Sequence, residues 1–449
     1  PTTSAKPLRG GGILEADRRL PLTVRRQKTE TDDEIRIVLT LTAEDLLYYN
    51  VEQSFHTGLA HENCLFYMPG FWYRKNLRSP ESAPSFHIGD SWQVREDRLS
   101  TPLTGIYDER SGTYYTVLRT DTPDCEALAC HNYGEVILSG KTSLGFTGFR
   151  NADAHAALVF GFPYCEAPKS YVRKLTLAPA VRAFEKLEKG ETRRLTWTIR
   201  KGASPSYSSF VAEVWNDSFD TLDPRPVSPR HTSDEAKAIL SEYFSRSYVG
   251  KYPLKFTSGV ELRTADCEST DIAEVGFVGR VLLNAFNALE YAEANGREQL
   301  AAEARSIFDS YLRYGFTPGG LIREVVDFKR EREADVYSIR RQSEGLYALL
   351  NYLDYEKRHG RSHPRWEARI RTLLEKFRTL QNPDGSFPRK FRDNLTVVDA
   401  SGGSTPSATL PLTMACVYFG DEEYRRSAVR TADYLEKNLI SKADYFSST

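Results

Sequence analysis

Several features that would point directly to a function are missing from this chain of 449 residues. Its formal net charge is −1, so no polybasic surface argues for nucleic acid or for a membrane surface. No stretch approaches the roughly 18 consecutive apolar residues that a membrane span needs. No signal peptide is visible, although a first residue of Pro1 in place of methionine suggests a trimmed or mature chain. The six cysteines (Cys64, Cys125, Cys130, Cys165, Cys267 and Cys416) are scattered without a Cys-x-x-Cys pair. That pattern suggests buried thiols and no zinc ribbon. The eight histidines are dispersed and none stands out as a ligand. Asp266-Cys267-Glu268 with a distant histidine has no diagnostic metal-binding spacing. There is no Gly-rich phosphate loop, no Gly-x-Ser-x-Gly elbow and no HExxH helix. No cofactor and no metal are therefore expected, and neither a nucleic-acid nor a membrane partner. The compartment stays open, with a lean towards a secreted or periplasmic protein.

The second half of the chain carries a repeating pattern. From Asp271 to Tyr291 apolar residues run nearly all round a helix: Ile272, Val275, Phe277, Val278, Val281, Leu282, Phe286 and Leu289. The next segment, Glu298 to Arg313, is apolar on one stripe only. The alternation recurs twice. Gln342 to Tyr355 is apolar on most sides and is followed by a stripe of Trp366, Ile370, Leu373, Phe377 and Leu380. Ser407 to Phe419 is apolar all round and is followed by a stripe from Tyr424 to Leu435. A helix apolar on every side is buried, and one with a single stripe lies at a surface. The pattern predicts inner helices at 271–292, 341–356 and 406–419, each paired with an outer one, in a toroid of helical hairpins. Inner-to-outer loops are short: Asn295-Gly296, His359 to Pro364, Gly420-Asp421. Outer-to-inner loops, Gly315 to Ile339 and Asn382 to Pro406, exceed the roughly 12–15 residues above which a loop is usually functional. Both open beside the N-termini of inner helices, so that end is the expected active face.

The first half reads as strands. Glu34 to Leu41, Thr113 to Arg119, Glu135 to Leu138 and Arg193 to Ile199 alternate at period two, with turn signals such as Ser111-Gly112 and Lys189-Gly190 between them. Many short strands with few helical patterns predict an antiparallel β-sandwich. Ser209 to Phe219 predicts a helix. A proline-rich stretch from Pro224 to Pro229 follows, and then a helix that Thr232-Ser-Asp-Glu235 would cap. The expected organisation is a multidomain β + α protein: a β-sandwich over 1–202, a helical linker over 203–256 and an (α/α) barrel over 257–449. A closed barrel at this repeat needs about six hairpins, while only about 190 residues follow Thr257. Either the chain forms an open half-toroid or, as favoured here, it is expected to be part of a longer polypeptide or to take the remainder of the barrel from another chain.

This organisation resembles the six-hairpin glycosidase superfamily. The stretches that carry the resemblance are Glu274-Val-Gly276-Phe-Val-Gly279, Glu344-Gly-Leu-Tyr-Ala-Leu, Gln381-Asn-Pro-Asp384-Gly-Ser-Phe and Ser404-Thr-Pro-Ser-Ala-Thr-Leu-Pro. It implies a sandwich that lends loops to a carbohydrate site at the barrel mouth, and hence an oligosaccharide or polysaccharide substrate. The missing second half departs from the pattern and leaves one catalytic carboxylate in doubt.

Glycoside hydrolysis needs an acid for the leaving oxygen and a second carboxylate as base or nucleophile. The loops at the expected active face supply three leading candidates. Glu324 follows Gly319-Gly320, where a glycine pair lets backbone approach a ligand. Asp327, between Val326 and Phe328, is expected to be desolvated and so to have a raised pKa. Asp399 precedes Ala-Ser-Gly-Gly near an inner-helix N-terminus. Asp271 is more readily an N-cap and Asp384 a turn residue, but Asp384 is kept as a substrate contact. Glu274 and Glu344 are either buried hydrogen-bonded residues or ligand contacts. Arg340 and Arg341, with Arg323, suit a carboxylate or vicinal hydroxyls, unless they pair with Glu331 or Glu333. In the sandwich, Trp72, Tyr73, Arg74 and Asn76 combine aromatic faces with polar tips, as sugar contacts do; the segment reads either as a core strand or, from the Pro69-Gly70 break and the polar tail after Arg74, as a loop that meets the sugar. Trp92 to Arg98 is expected at a charged sandwich edge or an interdomain contact. The favoured function is a two-carboxylate glycoside hydrolase. A polysaccharide lyase is the nearest rival, with Tyr337, Arg340 and Arg341 acting on a uronate. A non-catalytic glycan-binding protein is the third reading.

Overall fold

The computed structural model describes residues 2–3, 18–77, 83–121, 136–139, 141–173, 176–257, 270–276 and 280–442. Cys125, Cys130, Glu135, Asp266, Cys267, Glu268 and the stretch 277–279 lie outside the described residues. The chain forms two compact units, Pro1–Pro226 with Leu439–Thr449, and Val227–Asn438.

The first unit is built from two large sheets. One runs, in spatial order, Leu22–Glu30, Glu34–Ala43, Thr192–Ala203, Thr113–Arg119, Leu103–Asp108, Cys64–Met68 and Trp72–Arg74, every neighbouring pair antiparallel. The other runs Val136–Ser139, Thr176–Leu187, Cys165–Arg173, Trp92–Arg95, Phe146–Ala152, His155–Phe162 and Val51–Ala60, with Leu47–Tyr49 paired to Thr176–Leu187. Period-two alternation puts Ile37, Leu39 and Leu41, and likewise Leu195, Trp197 and Ile199, on one face. These side chains share a single core with Trp92, Phe149, Leu158 and Phe160 of the second sheet. The opposite face of the first sheet is covered by helix α1 (Tyr207–Leu222), whose Phe210 packs on Tyr107 and Tyr114. Gly105 makes room for it, since a Cβ there would fall 2.6 Å from the Phe210 ring.

Two sequence expectations fail here. Trp92–Arg95 is not an edge but an inner strand, flanked by Cys165–Arg173 and Phe146–Ala152. The segment 69–76 is not a projecting loop. A Pro69-Gly70 turn folds Trp72–Arg74 back onto Cys64–Met68, and the Trp72 ring lies in the core against Trp92 and Phe149 at 5.5 and 5.1 Å.

The second unit is mainly helical: α2 (Ser233–Ser247), α3 (Val281–Ala294), α4 (Glu298–Tyr314), α5 (Ile339–Arg358), α6 (Pro364–Leu380), α7 (Pro406–Phe419) and α8 (Glu422–Leu435). The predicted cap on α2 forms as a full capping box: the Glu235 amide donates to Thr232 Oγ1 at 3.2 Å and the Thr232 amide to Glu235 Oε2 at 2.9 Å. Helices pair as α3 with α4, α5 with α6 and α7 with α8, and α5 lies between α3 and α7. Twelve of the twenty residues of α5 are buried, as its all-round apolar pattern requires. On α7, by contrast, Leu410 and Val417 stand 55% and 81% exposed. The short turns are fastened by charge. Buried Glu356 holds His363 at 2.7 Å and accepts from Arg361 at 2.5 Å, and Glu293 accepts from Tyr355 at 2.7 Å.

The first inner helix begins ten residues later than predicted. Ile272–Glu274 is a strand paired with Val325–Asp327, and α3 starts at Val281. A short apolar run cannot by itself separate a buried strand from a buried helix, and the glycines at 276 and 279 interrupt this one. A second small sheet joins the two long loops: Tyr337–Ser338 pairs with Lys390–Phe391, which pairs with Val397–Asp399. Both loops therefore close over the same end of the helix pairs.

Substitution Leu349→Ala, at a fully buried site between helices, should lower unfolding free energy by about 2–5 kcal/mol. Val417→Ala should stay within about 0.5 kcal/mol. Denaturant titration of the two variants separates these outcomes, and equal losses would contradict the packing described.

Candidate functional site

The N-terminal turn of α5 organises the polar cluster of the second unit. Ser338 caps the helix, its hydroxyl accepting from the Arg341 amide at 3.2 Å. One turn in, Gln342 is fully buried. Its side-chain oxygen accepts from the Ile322 amide at 2.9 Å, and its nitrogen donates to the Ile322 carbonyl at 2.7 Å and to Glu324 Oε1 at 3.0 Å. Because an amide N–H can only donate, Gln342 has one possible orientation, and its NH2 group must face Glu324. The Ser338 amide donates to the same Glu324 oxygen at 2.7 Å. Oε1 is thus occupied by two donors, and a proton on Glu324 belongs on Oε2.

Glu324 is 2% exposed. Burial pushes its carboxyl up to about 7, although the Ser338 amide, Gln342 and Arg341 each pull the other way. Arg341 also pairs with Glu274, Nη2 to Oε1 at 2.8 Å, while its charge acts on Glu324 as well. Glu344 accepts from Arg340 Nε at 3.1 Å. The strand carrying Glu274 comes close to α5 because two positions lack a Cβ. At Gly276 it would fall 2.8 Å from Glu344 Oε2 and Arg341 Cγ; at Gly345 it would fall 2.7 Å from Ile322 Cδ1. Glu274, Glu324, Arg341 and Glu344 thus converge where that strand crosses the start of α5, each half-buried except Glu324.

The other predicted residues have structural occupations. Asp327 accepts from the Arg330 amide at 2.9 Å and pairs with the Arg330 side chain at 3.2 Å. That amide bond first, then the guanidinium, hold its pKa below the usual range despite burial, the reverse of the expected desolvated acid. For Asp399, burial pushes upward but is outweighed by the Ser401 hydroxyl and amide and by Arg389, and the pKa is lowered. Asp384 is an exposed turn residue bound to the Ser386 hydroxyl at 2.7 Å. Asp271 caps no helix; it pairs with Lys251 at 2.8 Å. Arg323 pairs with Glu333 at 2.9 Å. Tyr337 is buried, and burial followed by the nearby carboxylates of Glu333, Asp393 and Glu324 pushes its phenol up to about 12. Asp393 ties the two long loops together, accepting from the Thr317 hydroxyl and, at 2.8 Å, from the Gly319 amide.

In the first unit, Trp72 donates its indole N–H to the Arg74 carbonyl at 3.0 Å and presents no face to a ligand. Tyr73 packs against Tyr67. Arg74 lies over the Tyr207 ring at 4.8 Å. Asn76 closes its own loop, accepting from the Tyr73 amide at 3.0 Å and donating to the Phe71 and Pro84 carbonyls. These four share a turn, with Trp72 buried and Tyr73, Arg74 and Asn76 partly exposed.

Gln342 and Ser338, which hold the Glu324 carboxyl, are not among the candidates the sequence offered. The available signal was a glutamine at the start of a helix otherwise apolar on most sides, since a buried amide must find partners. Among the described residues no group of three or more His, Cys, Asp or Glu side chains is arranged to hold a metal ion, and no helix is long and apolar enough to cross a membrane.

No family model and no curated protein matches the chain. Among solved structures it is similar to cellobiose 2-epimerase from Bacillus thermoamylovorans, at 13% identity and a TM-score of 0.38, covering 51% of this chain and 57% of that one. It is also similar to a D-mannose isomerase, at 10% identity and a TM-score of 0.36, covering 46% and 52%. A third is the unsaturated glucuronyl hydrolase from Bacillus sp., at 15% and 0.34, covering 45% and 55%. The chain spans about half the length of these three structures. A likeness at this level transfers neither an activity nor a residue role.

Glu324 makes stability depend on pH. With its ordinary pKa of 4.5 raised to about 7, the folded protein keeps a proton that the unfolded chain has released. Stability should therefore fall as pH rises through that window and level off above it. Glu324→Gln mimics the protonated form, so its stability relative to the parent should improve by roughly 2–3 kcal/mol between pH 5 and pH 8. Thermal or urea unfolding at both pH values tests this. A constant difference would mean that Glu324 is not the buried acid described.

Proposed function

We propose that this chain is a carbohydrate-active enzyme that cleaves a glycosidic bond, with Glu324 as general acid and Glu274 as its carboxylate partner. The observation that supports the reading most is the state of Glu324. It is a buried carboxyl that keeps its proton near neutral pH and has one oxygen held by two N–H donors. Protonating a leaving glycosidic oxygen calls for an acid poised close to the working pH. In this scheme the Oε2–H bond breaks as the proton passes to the leaving oxygen and the sugar C–O bond opens. Positive charge then develops at the anomeric carbon. Glu274, held by Arg341, activates a water or attacks that carbon directly. Water finally supplies the hydroxyl of the product and restores the proton, so the enzyme ends unchanged. Arg341 is assigned to position both carboxylates, and Glu344 and Arg340 to line the approach. Asp327 and Asp399 serve the loop turns.

In this reading the helix pairs are hairpins of an (α/α) toroid and the paired sheets a β-sandwich. The elimination alternative would need Tyr337 as base. Its buried phenol, with a pKa pushed up to about 12, is poorly suited to that task, so hydrolysis is preferred.

Glu324→Gln should lower turnover by about 10²–10⁴-fold, the usual size of a general-acid contribution. Asp327→Asn should change it by no more than about threefold, since that side chain serves a turn. Parent activity should decline as pH rises past about 7, because Glu324 then loses the proton it donates. Release of reducing ends from an oligosaccharide panel reads all three. Undiminished turnover in both Glu324→Gln and Glu274→Gln would rule out the assignment. Sugar binding with no turnover by the parent would favour a glycan-binding protein.

A further inference from the structure

Two grooves run along the outside of the helix pairs, and they differ in how their arginines are used. The one beside α8, of about 500 Å³, is lined by Arg378, Arg425, Arg426 and Arg430. Each of these has a partner: Glu375 and Glu423, Glu422, Glu423, and the Gln381 side chain, respectively. The polar cluster at the start of α5 is likewise saturated, with Arg323, Arg340 and Arg341 all paired to carboxylates.

The other groove, between α4 and α6, has a volume of about 760 Å³, within the range of small-molecule sites. Its walls carry Arg313 from the end of α4 and Arg365 and Arg369 from the first turns of α6, all exposed. Among the described residues none of the three has a carboxylate within 4.0 Å, and Asp309 is the one acidic residue in the lining. Arg369 is steadied by the Phe316 ring, 5.4 Å away. Tyr314, at the rim, leaves half of its surface in solvent.

We infer that this groove is a binding site for a short acidic oligosaccharide, one whose rings carry carboxylates. Arginine forks match carboxylates and bind them through paired hydrogen bonds. An exposed tyrosine beside them offers an apolar face for sugar C–H groups, which a bare inorganic anion does not need. A long polyanion such as nucleic acid fits less well: it needs an extended basic track, whereas here the basic lining is one short groove on a chain of net charge −1. The inference rests on the carbohydrate reading for its ligand class and not for its location, because none of these residues belongs to the cluster around Glu324.

The test is calorimetric titration of the whole chain carrying Glu324→Gln, so that binding is read without turnover. Trigalacturonate is the probe, with cellotriose and inorganic phosphate as comparisons. Trigalacturonate should bind, and the triple variant Arg313→Gln, Arg365→Gln, Arg369→Gln should weaken it by about tenfold or more. Tyr314→Ala should weaken it by about threefold or more, and cellotriose should not bind at the groove. An affinity unchanged in the triple variant, or no binding at all, overturns the proposal. So does inorganic phosphate binding as tightly as the sugar, with Tyr314→Ala without effect, which would mark a general anion site. Failure here leaves the role of Glu324 standing, and loss of that role leaves this titration valid.

Discussion

The candidate site depends on one buried amide. Gln342 is held from two sides, by the backbone N–H and C=O of Ile322 and by Glu324. The three contacts allow a single orientation. A glutamine rotated by half a turn would set its oxygen against the Ile322 carbonyl and the Glu324 carboxyl, leaving buried acceptors without donors, a penalty of about 1–3 kcal/mol each. The amide therefore does two things at once. It docks the first long loop on the start of α5, and it directs Glu324 to carry its proton on the oxygen that remains.

That arrangement is only as firm as the loops around it. Two small sheets hold them: one pairs Ile272–Glu274 with Val325–Asp327, and the other joins the two long loops through Tyr337–Ser338 and Lys390–Phe391. Asp393 adds a side-chain tie to the Gly319 amide. Segments of this length without regular structure would be mobile; short strand pairings satisfy their backbone groups and convert them into a fixed wall. Loop carboxylates, Asp327, Asp393 and Asp399 among them, are part of this bracing. Loop aspartates commonly bind their own backbone, as Asp327 and Asp399 do here, while Asp393 reaches the Gly319 amide of the other long loop.

Periodicity accounted for most of the elements. Alternation at Glu34 to Leu41 and Arg193 to Ile199, and the one-stripe patterns of α4, α6 and α8, follow from local side-chain geometry. That geometry is a property of the sequence. So are the capping box at Thr232 and the contrast between short and long loops. Glu324 was also legible as a candidate, because the glycine pair before it marks a close backbone approach.

Distant contacts decided the rest. Whether Ile272 to Glu274 forms a strand or a helix turn depends on Val325 to Asp327, more than fifty positions away. Trp72 looked like a sugar platform because aromatic side chains serve cores and ligands equally well; only the opposing sheet, with Trp92 and Phe149, assigned it to a core. The pKa of Glu324 could not be read from its neighbours in the chain, since desolvation is a property of everything packed around a group. The sequence by itself determined where most helices and strands form and which stretches are free to be loops, because those follow largely from spacing along one chain. The tertiary structure alone decided which carboxylate is buried, which arginines are paired and which amide orients the acid, because burial and hydrogen bonding depend on residues that meet only when the chain has folded.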